Sequence, residues 1–114
     1  MSESGSRSDR VRVLKVRFLE RCSQDIATMR ELSRAASAGD ASALSSIEHL
    51  SHRISGTGGT LGFDAMSQSA RSLEMLVESV ATGGVARDEL LLKRAEALLG
   101  ELDGYVRRAN LPES

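Results

Sequence analysis

The chain is 114 residues long, 40% hydrophobic and only 3% aromatic, with 15 basic against 16 acidic side chains. That length suits one modest domain with an aliphatic core, and the even charge balance excludes the clustered basic face that nucleic-acid or membrane-surface binding requires. No stretch approaches the ~20 apolar residues of a membrane span, and the single cysteine, Cys22, excludes an internal disulfide and fits a reducing, cytoplasmic compartment.

The opening MSESGSRSDR lacks the apolar centre of a signal peptide and reads as a disordered polar tail over residues 1–10. A first helix is expected over about 11–37, because Val11, Leu14, Phe18, Cys22, Ile26, Met29, Leu32 and Ala36 recur every three or four positions. Cys22 falls on that stripe and reads as a buried thiol rather than a reactive one. Gly39 supplies a left-handed stop and Asp40 a cap for a second helix over about 41–60, which carries both histidines and fades in the glycines before Gly62. Asp64 is expected to cap a third helix, about 64–81, with Phe63, Met66, Ala70, Leu73, Val77 and Val80 as its stripe and Thr82–Gly83–Gly84 as its stop.

The fourth helix, about 86–109, opens with Asp88 and Glu89. Leu91, Ala95, Leu98, Leu102 and Val106 form its inward face, widened by Leu90, Leu92 and Leu99, and the pair Arg107–Arg108 complements the dipole at its end. Residues 111–114 form a short tail. The only proline, Pro112, leaves the helices uninterrupted. Short connections between long amphipathic helices favour antiparallel neighbours, so the expected fold is an all-α, up-and-down four-helix bundle. The narrow apolar stripes leave little surface for an obligate dimer, and a monomer is expected.

The segment HLSHRISGTGGTLGF, residues 49–63, holds both histidines and four of the ten glycines. At about 100° per residue, with Ile47 as zero, Ile54 lies roughly 20° away, Leu61 roughly 40°, and Leu44 and Leu50 roughly 60° to either side. His52 lies roughly 140° away and His49 roughly 200°, so both imidazoles point out of the bundle. Gly56 and Gly59 follow His52 by four and seven residues, on the same face. Each interior glycine costs about 1 kcal/mol relative to alanine, which points to a need for open space beside His52. GTGGTLG is no phosphate loop, since no lysine follows and no strand precedes it. His49 and His52 are three apart, too close for the four-apart pair of a helical metal site, and no cysteine helps, so a metal site is not expected.

The residues His52-Arg-Ile-Ser-Gly56 followed by Gly58-Gly-Thr-Leu-Gly62-Phe63 resemble the phosphohistidine motif of histidine-containing phosphotransfer (HPt) domains, and are especially similar to the N-terminal phosphotransfer domain of chemotaxis-type histidine kinases. Ala70-Arg-Ser-Leu-Glu74-Met-Leu resembles the segment that bears a glutamate near the phosphohistidine in that family. The resemblance implies a bundle whose exposed histidine, here His52, exchanges a phosphoryl group with an aspartate of a response-regulator receiver domain, and whose other partner is a histidine kinase or hybrid kinase. It implies that Glu74 orients the imidazole, and that the domain is a carrier with no ATP site and no cofactor, the magnesium residing on the receiver. Where the family usually has lysine, this chain has Ser55; Arg53 and Arg71 are the candidates for the missing charge beside the phosphoryl group, and Gly56 and Gly59 would give the partner access. The serine also favours an alternative, a helical module that docks on a receiver or kinase without being phosphorylated.

Overall fold

The computed structural model describes residues 3–81 and 89–109. Four helices account for the fold: α1 Glu3–Ser37, α2 Ala41–Thr60, α3 Asp64–Ala81 and α4 Glu89–Ala109. No strand is found among the described residues. Among the described residues α1 packs on α2 and α4, α3 packs on the same two, and the backbones of the diagonal pairs stay apart. This is the ring of an antiparallel up-and-down four-helix bundle, with α2 and α3 in the most extensive contact.

The core is aliphatic. Ile26, Met29, Ile47, Ile54, Met66, Leu73, Leu99 and Leu102 are all fully buried. Cys22 joins them with no exposed surface, and burial pushes its thiol up to about 12, the nearby Asp25 carboxylate adding to the shift and Arg53 opposing it. A thiol so placed stays protonated and inert. Two buried hydroxyls are satisfied within their own helices: Ser51 Oγ donates to the Ile47 carbonyl at 2.7 Å and Ser33 Oγ to that of Arg30 at 3.0 Å.

Both short connections use one device. After α1, Gly39 takes φ +111°, its N–H meets the Ala36 carbonyl, and the N–H of Asp40 reaches back to Ala35 at 2.9 Å. After α2, Gly62 takes φ +89°, its N–H meets the Gly59 carbonyl, and the N–H of Phe63 reaches Gly58 at 2.8 Å. These are paired Schellman closures, each needing a glycine in the left-handed region. Asp40 then caps α2, accepting from the N–H of Ser42 at 3.0 Å and from its hydroxyl at 2.6 Å. α3 starts at Asp64 itself, so that carboxylate sits in the first turn and faces the dipole instead of capping from outside.

The first helix departs most from expectation. It starts at Glu3 and takes in residues 3–10, which the sequence pattern assigned to a tail. Propagating a helix costs little once a turn exists, and nothing stronger than Gly5 interrupts this stretch; a helical segment without an apolar stripe leaves no periodicity in the sequence. At 35 residues, α1 is about 52 Å long, against about 30 Å for α2. Its N-terminal half therefore runs past the bundle, leaving Val11 and Leu14 41% and 53% exposed, whereas burial begins at Phe18. The expected stop at Thr82–Gly83–Gly84, the start of α4 near 86, the side chains of Leu90, Leu91 and Leu92, the first two residues of the tail and the tail 111–114 lie outside the described residues.

Two measurements check this account. Ser42 holds the Asp40 carboxyl below its ordinary 3.8 through its hydroxyl first and its N–H second. A lowered folded value means that the cap contributes fully above the ordinary carboxylate range and is lost as pH falls through the folded value. Asp40→Ala should lower the urea midpoint at pH 7, and its gap from wild type should close as the pH drops below 3.8. Among the glycines, a Cβ at Gly56 would meet nothing within 4 Å, whereas one at Gly58 would stand 3.3 Å from Phe18 Cζ. Gly56→Ala should therefore stabilise by about 0.5–1 kcal/mol and Gly58→Val destabilise by about 1–3 kcal/mol, both read from urea unfolding.

Candidate functional site

His52 stands on α2 with 77% of its side chain exposed, and Glu74 approaches from α3 with 23% exposed. Imidazole Nδ1 and carboxylate Oε2 lie 2.9 Å apart. An ionised carboxylate only accepts hydrogen bonds, so the neutral ring in this contact carries its proton on Nδ1 and leaves Nε2 with a free lone pair. The outer edge of the ring is open to solvent. Such an imidazole is a nucleophile whose tautomer is fixed from behind.

The register between α2 and α3 produces this meeting. Ten residues precede Gly62 back to His52, and twelve follow it to Glu74, so the two lie at nearly the same height on antiparallel helices rising about 1.5 Å per residue. Nearer the turn, Ser67 Oγ donates to the Ser55 carbonyl at 2.7 Å and stands 3.4 Å from Ser55 Oγ. Ser67, Arg71 and Glu74 form one row on α3, facing Gly59, Ser55 and His52 on α2. Arg71 is exposed and makes no ion pair among the described residues.

Arg53 belongs elsewhere. Its Nη2 lies 3.1 Å from Asp25 Oδ2 on α1, on the opposite flank of α2 from Glu74. Asp25 is buried, and Arg21 Nε adds a longer contact at 3.6 Å. The Arg53 charge is thus engaged in balancing a buried carboxylate. His49 is exposed, as its direction on the helix requires.

The glycines divide. Gly56 has open space beside it, whereas a Cβ at Gly59 would come into contact with Ser67 Oγ at 3.4 Å, so Gly59 lies against α3 as well as on the His52 face. Gly58 is buried beneath Phe18 and Phe63, whose rings stack with centroids 5.5 Å apart. The helical wheel that turned His52 outward puts Gly58 at roughly 20° from Ile47, on the inward face; that signal was present in the sequence. Nothing comparable marks Asp25 or Ser67, whose roles depend on the spacing between helices. Among the described residues no group of three or more His, Cys, Asp or Glu side chains could hold a metal ion, and no helix is long and apolar enough to cross a membrane.

A family model for the Hpt domain matches residues 13–105. The chain belongs to the Hpt domain family. Comparison with curated proteins and with solved structures returned no match. Hpt domains are phosphocarriers of histidine phosphorelays rather than catalysts, and they interact with kinases and receiver domains. The matched span runs from Val13 on α1 to Tyr105 on α4, and so includes both His52 and Glu74.

The carboxylate contact makes a spectroscopic prediction for this Hpt domain. Ring 15N shifts of neutral His52 should report a proton on Nδ1 and a bare Nε2, and Glu74→Ala should move them towards a mixture of tautomers. A pattern identical in both proteins would mean that Glu74 does not select the tautomer.

Proposed function

We propose that the chain carries a phosphoryl group on Nε2 of His52 and exchanges it with the aspartate of a response-regulator receiver domain. The observation that supports this most directly is the 2.9 Å contact from His52 Nδ1 to Glu74 on an otherwise open imidazole. The transfer forms a P–N bond at Nε2 while the P–O bond of the aspartyl phosphate breaks and the aspartate carboxylate leaves. The Nδ1 proton stays in place, so the phosphorylated ring is a cation, and Glu74 faces that cation at hydrogen-bonding distance. Reversal of the same step returns the phosphoryl group.

Phosphoryl transfer depends on positioning and on neutralising the charge of the equatorial oxygens. This chain supplies the nucleophile and its orientation. The magnesium ion and most of the cationic groups belong to the receiver, and a histidine kinase or hybrid kinase is the other exchange partner. Gly56 leaves bare backbone one turn from His52, where the receiver's active site must come close. Arg71, in the row between Ser67 and Glu74, is the chain's own cation for the phosphoryl group; Arg53, held by Asp25, serves the fold. A cytoplasmic setting is where such partners and a reduced Cys22 belong.

Incubation with a phosphorylated receiver or a cognate kinase should yield an acid-labile, base-stable phosphoprotein, absent in His52→Gln and retained in His49→Gln. Arg71→Ala should slow transfer by about tenfold, the loss of one charge-assisted contact, whereas Arg53→Ala should lower the unfolding midpoint and keep uptake. Label that persists in His52→Gln and vanishes in His49→Gln would overturn the assignment. Receiver binding that is unaffected by His52→Ala, without any phosphoryl uptake, would establish the docking alternative that Ser55 favours.

A further inference from the structure

Hydroxyls on these helices commonly bond back to the carbonyl one turn earlier. Ser51 Oγ donates to Ile47 at 2.7 Å, Thr60 Oγ1 to Gly56 at 3.1 Å and Thr28 Oγ1 to Gln24 at 3.1 Å. Ser55 does not; its Oγ turns towards α3, where its neighbour is Ser67 Oγ at 3.4 Å. Ser67 spends its own single proton on the Ser55 carbonyl at 2.7 Å. A hydroxyl has one proton to give, so between the two oxygens Ser67 can only accept, over a separation longer than an ordinary O–H···O bond. Ser55 therefore holds a proton that the fold scarcely uses, three residues and one turn from His52 on the same side of α2.

We propose that Ser67 is a positioning residue: by gripping the Ser55 carbonyl and offering its oxygen on the α3 side, it keeps the Ser55 hydroxyl off the α2 backbone and ready to donate to a phosphoryl oxygen on His52. This rests on His52 being the phosphoryl carrier. Ser55 then replaces, with a neutral donor, the cation that related motifs place at this position. Gly59 adjoins the arrangement, since a Cβ there would come into contact with Ser67 Oγ at 3.4 Å. On phosphorylation the Ser55 hydroxyl exchanges its long contact with Ser67 for a bond to a non-bridging phosphoryl oxygen, and no covalent bond of either serine changes. That hydrogen bond draws off the electron density that expels imidazole in a loose, metaphosphate-like transition state, so it lengthens the life of the P–N bond.

The test uses the whole chain phosphorylated with phosphoramidate, which passes its phosphoryl group to the ring nitrogen as ammonia leaves, and follows hydrolysis by 31P NMR. Ser55→Ala and Ser67→Ala should each shorten the lifetime of phosphorylated His52 by about threefold to tenfold, the range for the net effect of one ordinary hydrogen bond. Ser67→Thr, which keeps the hydroxyl, should restore it. The double variant should decay no faster than Ser55→Ala alone, since Ser67 acts only through Ser55. A Ser55→Ala lifetime equal to wild type, or a Ser67→Ala effect that is equally large without Ser55, would overturn the proposal; the second result would mark Ser67 as merely structural. Uptake that His52→Gln leaves unchanged would overturn the carrier reading and the proposal together, and is distinguished by the missing dependence on His52.

Discussion

The three residues between α2 and α3 set the register on which the site depends. Gly62 in the left-handed region closes α2, and the chain turns directly into α3 at Asp64. From that turn the two helices run back along each other, so every cross-pair is fixed by counting: Ser67 against Ser55 and Gly59, then Glu74 against His52. A one-residue insertion in the turn would rotate α3 by about 100° and carry Glu74 away from the imidazole while hardly disturbing the composition of the core. Phe63 strengthens the corner, stacking on Phe18 across Gly58 and lying under the ammonium of Lys15 at 6.0 Å. The glycine-rich segment is therefore first a device for bringing two helices and a phenylalanine close together, and its open surface at Gly56 is the remainder.

Seen in that way, the sequence was legible wherever a property belongs to one helix. The apolar stripes of α2, α3 and α4 and the outward direction of His52 follow from a 100° rotation per residue, and the bundle follows from the stripes. Asp40 and Gly39 were legible because caps and left-handed stops are local chemistry. What composition and period could not reach was any pairing between helices: Asp25 with Arg53, Ser67 with Ser55, Gly59 with Ser67. Glu74 was reached by family resemblance, and no periodicity singles it out from Glu78 on the same helix. The start of α1 was missed for the opposite reason, since a helix that projects past its partners needs no apolar stripe and leaves none to read.

The two flanks of α2 make different uses of charge. Towards α1, Arg53 meets a buried carboxylate, and removing the arginine would leave Asp25 with only its longer contact to Arg21 in a site where water is scarce. Towards α3, the charges are held at the surface: Glu74 touches an imidazole that is mostly exposed, and Arg71 has no fixed partner among the described residues. Adjacent residues of one helix, His52 and Arg53, thus belong to unlike environments because 100° of rotation separates them. The flank that balances its charges internally serves the fold, and the flank that leaves them open is the one a partner can complete.

A carrier must bind its cargo firmly enough to survive until the next encounter and loosely enough to give it up. Charge-assisted hydrogen bonds are about twice as strong as neutral ones, so an ammonium beside the phosphoryl group holds it more tightly than a hydroxyl does. On the proposed reading, Ser55 shifts this Hpt domain towards release: the phosphorylated form keeps Glu74 on the ring and one neutral donor on the oxygens, and the remaining neutralisation must come from Arg71 or from the partner. Transfer between His52 and a receiver then depends more on the partner's own magnesium and cations than it would with a lysine at position 55. The same substitution that weakens the resting hold makes the docked receiver, which alone supplies the missing charge, the place where the phosphoryl group is best stabilised.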